Sequence, residues 1–483
     1  MIKDAICKIP GYSNPLISHK YGADPYAITY NGRVYIYMTN DIYAYDNDGK
    51  ITQNNYGMIN KIGVISSNDM VNWTDHGEIP VAGPEGIAKW AKNSWAPAVA
   101  HKTIDGKEKF FLYFANNGSG IGVLTADTPI GPWVDPLGKA MITGSTPGME
   151  GVVWLFDPAV LVDDDGTGYM YCGGGIPGGK NPTQEQIASP RTGRMVKLSD
   201  DMINTVDSAI MLDAPYLFED SGIHKYNGKY YYSYCSNFAG IHPEGTPPKG
   251  EIAYMISDNP MGPFTYKGCI LKNPGELFGV GGNNHHAVFE FNNQWYITYH
   301  AQTLDKAIAG EIRGYRSTHI NKLEYDGNGL IKEVKGDMEG VSSIANLNPY
   351  ERNEAETFAW NAGISTDICV ASGIQVESFN LNVTCIDNGD WIAVANADFG
   401  EIGATSFEAN IASTVGGKIN IHLDRADGEL IGTLNVSSTG GEQNWNIVKT
   451  NVKRVKGIHN IYFMFAGQEF TNNLFNIDYW QFN

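Results

Sequence analysis

The chain has 483 residues, 34 Lys+Arg against 53 Asp+Glu, and a formal net charge of -19. That balance excludes a nucleic-acid surface and an anionic-membrane surface, which need clustered basic residues. No run reaches the roughly 18 apolar residues of a membrane helix. With 56 Gly, 27 Tyr, 19 Phe and 10 Trp, the composition suits strands, tight turns and exposed rings.

The first residues, MIKDAICKIPGYSNP, lack the apolar stretch of a secretory signal, so the expected location is cytoplasmic. From Asp24 one block recurs five times: a polar start, an apolar strand, a turn, an aromatic strand. The copies are DPYAITYNGRVYIYMTN, APAVAHKTIDGKEKFFLYFAN, DPAVLVDDDGTGYMYCGG, DSGIHKYNGKYYYSYCSN and HHAVFEFNNQWYITYHA. They start at Asp24, Ala96, Asp157, Asp220 and His285, at spacings of 72, 61, 63 and 65 residues. Asn31-Gly32, Asp105-Gly106, Asp165-Gly166 and Asn227-Gly228 mark hairpin turns. A weaker block after each copy, such as GVISSNDMVNWTDHG, reads as a second hairpin. Two hairpins per unit and five units predict an all-β, five-bladed β-propeller over residues 1–345. Short strands between Gly-rich turns then predict a β-sandwich of the jelly-roll kind over 346–483. The six cysteines are scattered without a CxxC pair, which predicts free thiols and no zinc site.

In a propeller the first strand of each blade lines the channel, so the block starts converge on one mouth. Ala96 replaces the acid in the second blade, so the blade itself does not require one. The acids Asp24, Asp157 and Glu219 with Asp220 are then candidates for chemistry. Several carboxyls in one concavity suit glycosidic cleavage, in which one protonated acid serves the leaving oxygen and one carboxylate serves water or carbon. A third charge raises the acid's pKa.

The stretches GADPYAITYNGRVYIY, WAPAVAHK, FDPAVLVDDDGTGYMY, EDSGIHKYNGKYYYSY, NNHHAVFEF and YRSTHINKLEYDGNG resemble family 43 glycoside hydrolases. The resemblance implies a five-bladed propeller and an inverting mechanism. It implies Asp24 as general base, Glu219 as general acid and Asp157 as the group that tunes and orients the acid. The repeat frame by itself selects Asp220 in place of Glu219. Many members of the family carry an acid where Ala98 stands. By the same resemblance His285 or His286 faces the channel and can hold an ion through water. From the residues themselves, Arg316 in GYRST is expected to lean over the same channel and pair with a carboxylate, and Trp95 to stack on a sugar, since Trp is rarely fully buried.

The C-terminal stretches NEAET, CIDNGDWIAVANADFG, LDRADGELIGTLNV, TGGEQNW and LFNIDYWQF resemble a family 6 carbohydrate-binding module. That resemblance implies a structural calcium at Glu354, Glu356 and Asp478. It also marks a departure: the two ring positions of the usual sugar cleft hold Cys385 and Glu442, with Asn476 retained. Weak or absent sugar binding at that cleft is therefore expected. Together these readings predict an exo-acting α-L-arabinofuranosidase whose partner is arabinoxylan or a hemicellulose oligosaccharide. β-Xylosidase action is the neighbouring alternative, endo-arabinanase a more distant one, and a non-catalytic glycan binder the reading from another class.

Overall fold

The computed structural model describes residues 2–370, 380–469 and 471–483. The first sheet holds β1 (Ala23–Tyr30), β2 (Arg33–Thr39), β3 (Ile62–Ser67) and β4 (Trp73–Ile79). The second holds β5 (Trp95–Ile104), β6 (Lys107–Ala115), β7 (Gly120–Ala126) and β8 (Ile142–Thr143). The third holds β9 (Ala159–Val162), β10 (Gly168–Cys172), β11 (Gly193–Leu198) and β12 (Thr205–Leu212). The fourth holds β13 (Leu217–Tyr226), β14 (Lys229–Ser236), β15 (Ile252–Ser257) and β16 (Thr265–Leu271). The fifth holds β17 (His286–Phe291), β18 (Gln294–Ala301) and β19 (Ser317–Leu323). The first strands touch in the order β1, β5, β9, β13, β17 and back to β1, which closes a ring of five blades.

Turn chemistry explains the hairpins. Asn31-Gly32, Asp105-Gly106 and Asn227-Gly228 have positive φ at both positions, the two-residue turn that matches strand twist. Asn292-Asn293 makes the same turn in the fifth blade without glycine. Asp165-Gly166 differs: only Gly166 has positive φ there, within the wider Asp163–Thr167 loop.

The fifth blade departs from the expected four strands. No fourth strand follows β19 among the described residues. The N-terminal segment covers that edge instead: Leu16 N–H donates to Thr318 O (2.8 Å), and Ile320 N–H donates to Asn14 Oδ1 (2.8 Å). An exposed edge would otherwise invite pairing with another chain.

The module is a sandwich with a dense core that includes Phe407, Phe463 and Trp480. One sheet pairs β20 (Asn353–Glu354), β23 (Ser365–Ile368), β24 (Leu381–Thr384), β26 (Ala404–Ser413), β29 (Gly441–Val455) and β31 (Asn476–Phe482). The other pairs β22 (Trp360–Ala362), β25 (Trp391–Asp398), β27 (Gly417–Leu423), β28 (Glu429–Val436) and β30 (Ile458–Ala466). Between β20 and β22, strand β21 (Thr357–Phe358) leaves the sandwich and pairs with β4 as a fifth strand of the first blade. The expected boundary at 345/346 lies in the connecting segment, yet the two domains share a sheet. Asp75 anchors this seam. Its carboxylate, itself fully buried, accepts from His19 (2.8 Å), Lys20 (2.5 Å) and Thr366 of the module (2.8 Å). Asn72 exchanges hydrogen bonds with the backbone of Ala395. The six cysteines are free.

Candidate active site

The channel mouth narrows to a small pocket of about 100 Å³ lined by Asp24, Tyr56, Trp95, Phe156, Asp157, Glu219, Asn283, His285 and Arg316. All three predicted acids lie here, with Trp95, His285 and Arg316. A larger cavity of about 940 Å³ lies elsewhere on the propeller. It is lined by Tyr30, His101, Lys225, Glu290 and Trp295 among others, and holds none of the three acids.

Local backbone explains the convergence. Inner strands β1, β5 and β13 break register near their starts, where Asp24, Ala96 and Asp220 have positive φ, and Asp157, just before β9, has positive φ as well. Such bulges re-aim side chains. Strand β13 shifts register on both sides of Glu219. Glu219 thereby lines the cavity, while Asp220, the frame-equivalent residue, turns inward and is wholly buried.

The acids differ in their partners. Arg316 Nη1 donates to Asp24 Oδ1 (2.8 Å), and His300 Nδ1 lies 3.2 Å from the same oxygen. Burial opposes ionisation of Asp24, but Arg316, and after it His285 and His300, outweigh burial and hold its carboxyl well below the usual carboxylate range. Arg316 is anchored from behind by Asp41, which accepts from Nε (2.9 Å) and Nη2 (2.8 Å). Its guanidinium also stacks 4.9 Å from the Tyr56 ring centre.

Glu219 has the opposite setting. It is buried, and its Oε1 has no hydrogen-bond partner. Burial first, then the charges of Asp157 and Asp24, push its carboxyl well above the ordinary value. Asp157 is raised as well, by burial and then by Asp24, although the Asp220 N–H donated to its Oδ2 (2.9 Å) works the other way. A carboxyl held down at Asp24 and one pushed up at Glu219 within one pocket is the division of labour that acid–base cleavage of an acetal requires.

His285 lies 3.5 Å from Asp24, 3.8 Å from Asp157 and 3.1 Å from Asp220. His286 does not face the mouth. Its Nδ1 meets Asp220 Oδ2 (2.5 Å) and its Nε2 meets Ser233 Oγ (2.7 Å). With both ring nitrogens held by protein groups, its placement offers nothing to an ion. The sequence reading missed Asp41, Tyr56, Phe156, Asn283 and His300. His300 closes the fifth repeat block, where a second channel histidine was open to view. The others sit in loops or beside a motif without a pattern of their own.

In the module, Arg352 donates to Glu354 (2.7 Å) and lies 3.4 Å from Asp478. Glu356 is buried with Oε2 unpartnered. No cluster of three or more His, Cys, Asp or Glu arranged to hold a metal is formed among the described residues. At the former sugar cleft Cys385 is exposed, and Asn476 Nδ2 donates to the Glu442 carbonyl (2.9 Å). The retained polar group is thus engaged with backbone where the rings are missing.

A closed ring of blades bearing one carboxyl held down and one buried carboxyl pushed up in one small pocket has the make-up of a glycoside hydrolase. Residues 12–331 match the model of glycosyl hydrolases family 43, and residues 354–483 match carbohydrate binding module family 6. The chain belongs to glycoside hydrolase family 43. It is 62% identical over 483 residues to an arabinoxylan arabinofuranohydrolase of Paenibacillus polymyxa, covering 99% of this chain and 75% of the relative. It is also 62% identical to one of Bacillus subtilis, covering 99% and 93%. A crystal structure of a family 43 arabinoxylan arabinofuranohydrolase from Bacillus subtilis, in complex with cellotetraose, superposes with a TM-score of 0.97 at 61% identity, covering 99% of each chain. An α-L-arabinofuranosidase from Clostridium thermocellum covers 68% of this chain at 38% identity, with a TM-score of 0.52.

Proposed function

We propose that this enzyme removes α-L-arabinofuranosyl side chains from arabinoxylan or its oligosaccharides, with inversion at the anomeric carbon. The observation that carries the reading is the split between Asp24 and Glu219 within one small pocket. Asp24, kept ionised by Arg316, takes a proton from water as it attacks the anomeric carbon. Glu219, kept protonated, delivers its proton to the departing glycosidic oxygen. Asp157 holds Glu219 in its acid form by proximity. A pocket of this size suits a single terminal sugar, which supports exo action. Trp95 and Tyr56 wall it with rings 6.3 Å apart, edge to face.

The backbone polymer needs a surface outside the pocket. Trp154 and Phe238 are 38% and 42% exposed; Trp154 packs directly on Phe156 of the pocket, and Phe218 links Trp154 to Phe238. Such a ridge of rings supports a pyranose chain by stacking. In the module, the unpartnered Oε2 of Glu356 beside Glu354 and Asp478 supports a calcium ion held by these three carboxylates, since oxygen donors suit that ion. The test is arabinose release from arabinoxylan oligosaccharides. The wild type is expected to release arabinose and leave the xylan chain intact. Asp24→Ala is expected to release none while keeping the circular dichroism spectrum of the folded chain. Release of xylose alone would overturn the reading.

A further inference from the structure

Asp220 is the acid that the pocket does not use. In the repeat frame it is the fourth-blade counterpart of Asp24 and Asp157, and it shares their positive φ (69° against 46° and 47°). Yet it does not line the cavity, and its side chain is 0% exposed.

The frame reveals a stitch between blades. The Asp220 N–H donates to Asp157 Oδ2 (2.9 Å), and the His286 N–H donates to Asp220 Oδ1 (3.1 Å). Between the first two blades a different group does this work: the Ala96 N–H donates to Thr39 Oγ1 (2.8 Å). Asp24 is thereby left free for Arg316. Stitching alone explains those amide bonds. It does not explain the rest of the Asp220 carboxylate. Its Oδ1 also lies 3.1 Å from His285 Nε2, and its Oδ2 lies 2.5 Å from His286 Nδ1. The His286 ring is braced in turn by Ser233. Gly222 leaves it room: a Cβ at that position would stand 2.9 Å from His286 Nε2 and 2.6 Å from Ser233 Oγ.

At 3.1 Å the Asp220 carboxylate, which only accepts hydrogen, favours hydrogen on the facing Nε2 of His285. Burial keeps this imidazole neutral at neutral pH, against the pull of Asp220 and Asp24. Its Nδ1 is then an acceptor, aimed between Asp24 and Asp157 at 3.5 and 3.8 Å. The hydrogen bond made by one ring nitrogen decides what the other presents.

We infer that Asp220 is a positioning residue for the reaction: its amide fixes the Asp157 carboxyl, and its carboxylate fixes the ring and tautomer of His285. Two walls of the sugar pocket are thus set by one residue that never meets substrate, one through its backbone amide and one through its side chain. The inference rests on the arabinofuranosidase reading of that pocket.

Asp220→Asn tests it. Asparagine has the same shape, keeps the amide and tolerates positive φ well, so the chain is expected to fold. It loses the charge and one acceptor oxygen. The expected result on p-nitrophenyl α-L-arabinofuranoside is a kcat at least tenfold lower, a KM within threefold and an unchanged circular dichroism spectrum. In a His285→Ala background the same change is expected to lower kcat by less than twofold, because the effect runs through that ring. A double-mutant cycle separates this coupling from two independent losses. A kcat within twofold of wild type, or the same loss in both backgrounds, would overturn the inference. Wild type is assayed alongside: its failure to turn over the arabinofuranoside would instead sink the reading of the pocket.

Discussion

Glu219→Gln is the sharpest single perturbation of this pocket. Burial and the neighbouring acids push the Glu219 carboxyl toward its protonated form, so the substitution keeps its outline and adds no charge. The carboxyl oxygen Oε1 has no partner to lose. What disappears is one transferable proton. On an arabinoxylan oligosaccharide the leaving group is a sugar alkoxide, which cannot depart unprotonated. Removing a general acid costs about 10²–10⁴ in rate, or about 3–5 kcal/mol of barrier. The kcat on the oligosaccharide is expected to fall by that factor, with KM within about threefold. On p-nitrophenyl α-L-arabinofuranoside the leaving phenolate is stable without protonation, so the loss is expected to be about tenfold or less. Steady-state kinetics on both substrates, with one preparation of each protein, give the comparison. An equal loss on the two substrates would refute the assignment of Glu219 as proton donor, as would a raised KM at constant kcat.

The same variant has a stability signature. The folded chain keeps on Glu219 a proton that the unfolded chain releases near its ordinary value of 4.5, so wild-type stability falls as pH rises above that value. Glutamine cannot ionise, so thermal melts are expected to coincide at pH 4 and to favour Glu219→Gln increasingly above pH 5; a variant that melts lower at pH 7 would contradict the burial argument. At the seam between domains, Asp75→Ala leaves His19 buried without its carboxylate and Lys20 with Glu78 as its remaining partner (3.1 Å). That costs about 3–5 kcal/mol, seen as a lowered midpoint of one calorimetric transition, whereas separate propeller and module transitions in the wild type would contradict a shared sheet. For the proposed calcium site, a free ion concentration a hundredfold above its Kd stabilises by about 2.7 kcal/mol. Chelation is thus expected to lower the wild-type melting midpoint and to leave Glu356→Gln unmoved, and equal midpoints with and without chelator would remove calcium from the module.

Local chemistry made most of the propeller legible. Asn-Gly and Asp-Gly at Asn31, Asp105 and Asn227 set two-residue turns, and those turns set the repeat frame. The frame then located Asp24 and Asp157 at equivalent positions. It failed by one residue in the fourth blade, because a register shift on each side of Glu219 is a property of paired strands and leaves no mark in a single strand's sequence. Asp41 was invisible for a related reason. Its partner Arg316 is 275 residues away, and only closure of the ring brings them together. The N-terminal cover on the edge of the last blade and the pairing of β21 with β4 are also long-range events. A two-residue strand such as Thr357–Phe358 carries no periodicity to read.

The most direct measurement is the anomer released first, followed by proton NMR as an α-L-arabinofuranosyl oligosaccharide is cleaved. With Asp24 working through water and Glu219 through the glycosidic oxygen, β-L-arabinofuranose is expected to build up before mutarotation. If the α anomer comes first, a covalent intermediate has formed on the chain, and Asp24 cannot be the residue that activates water.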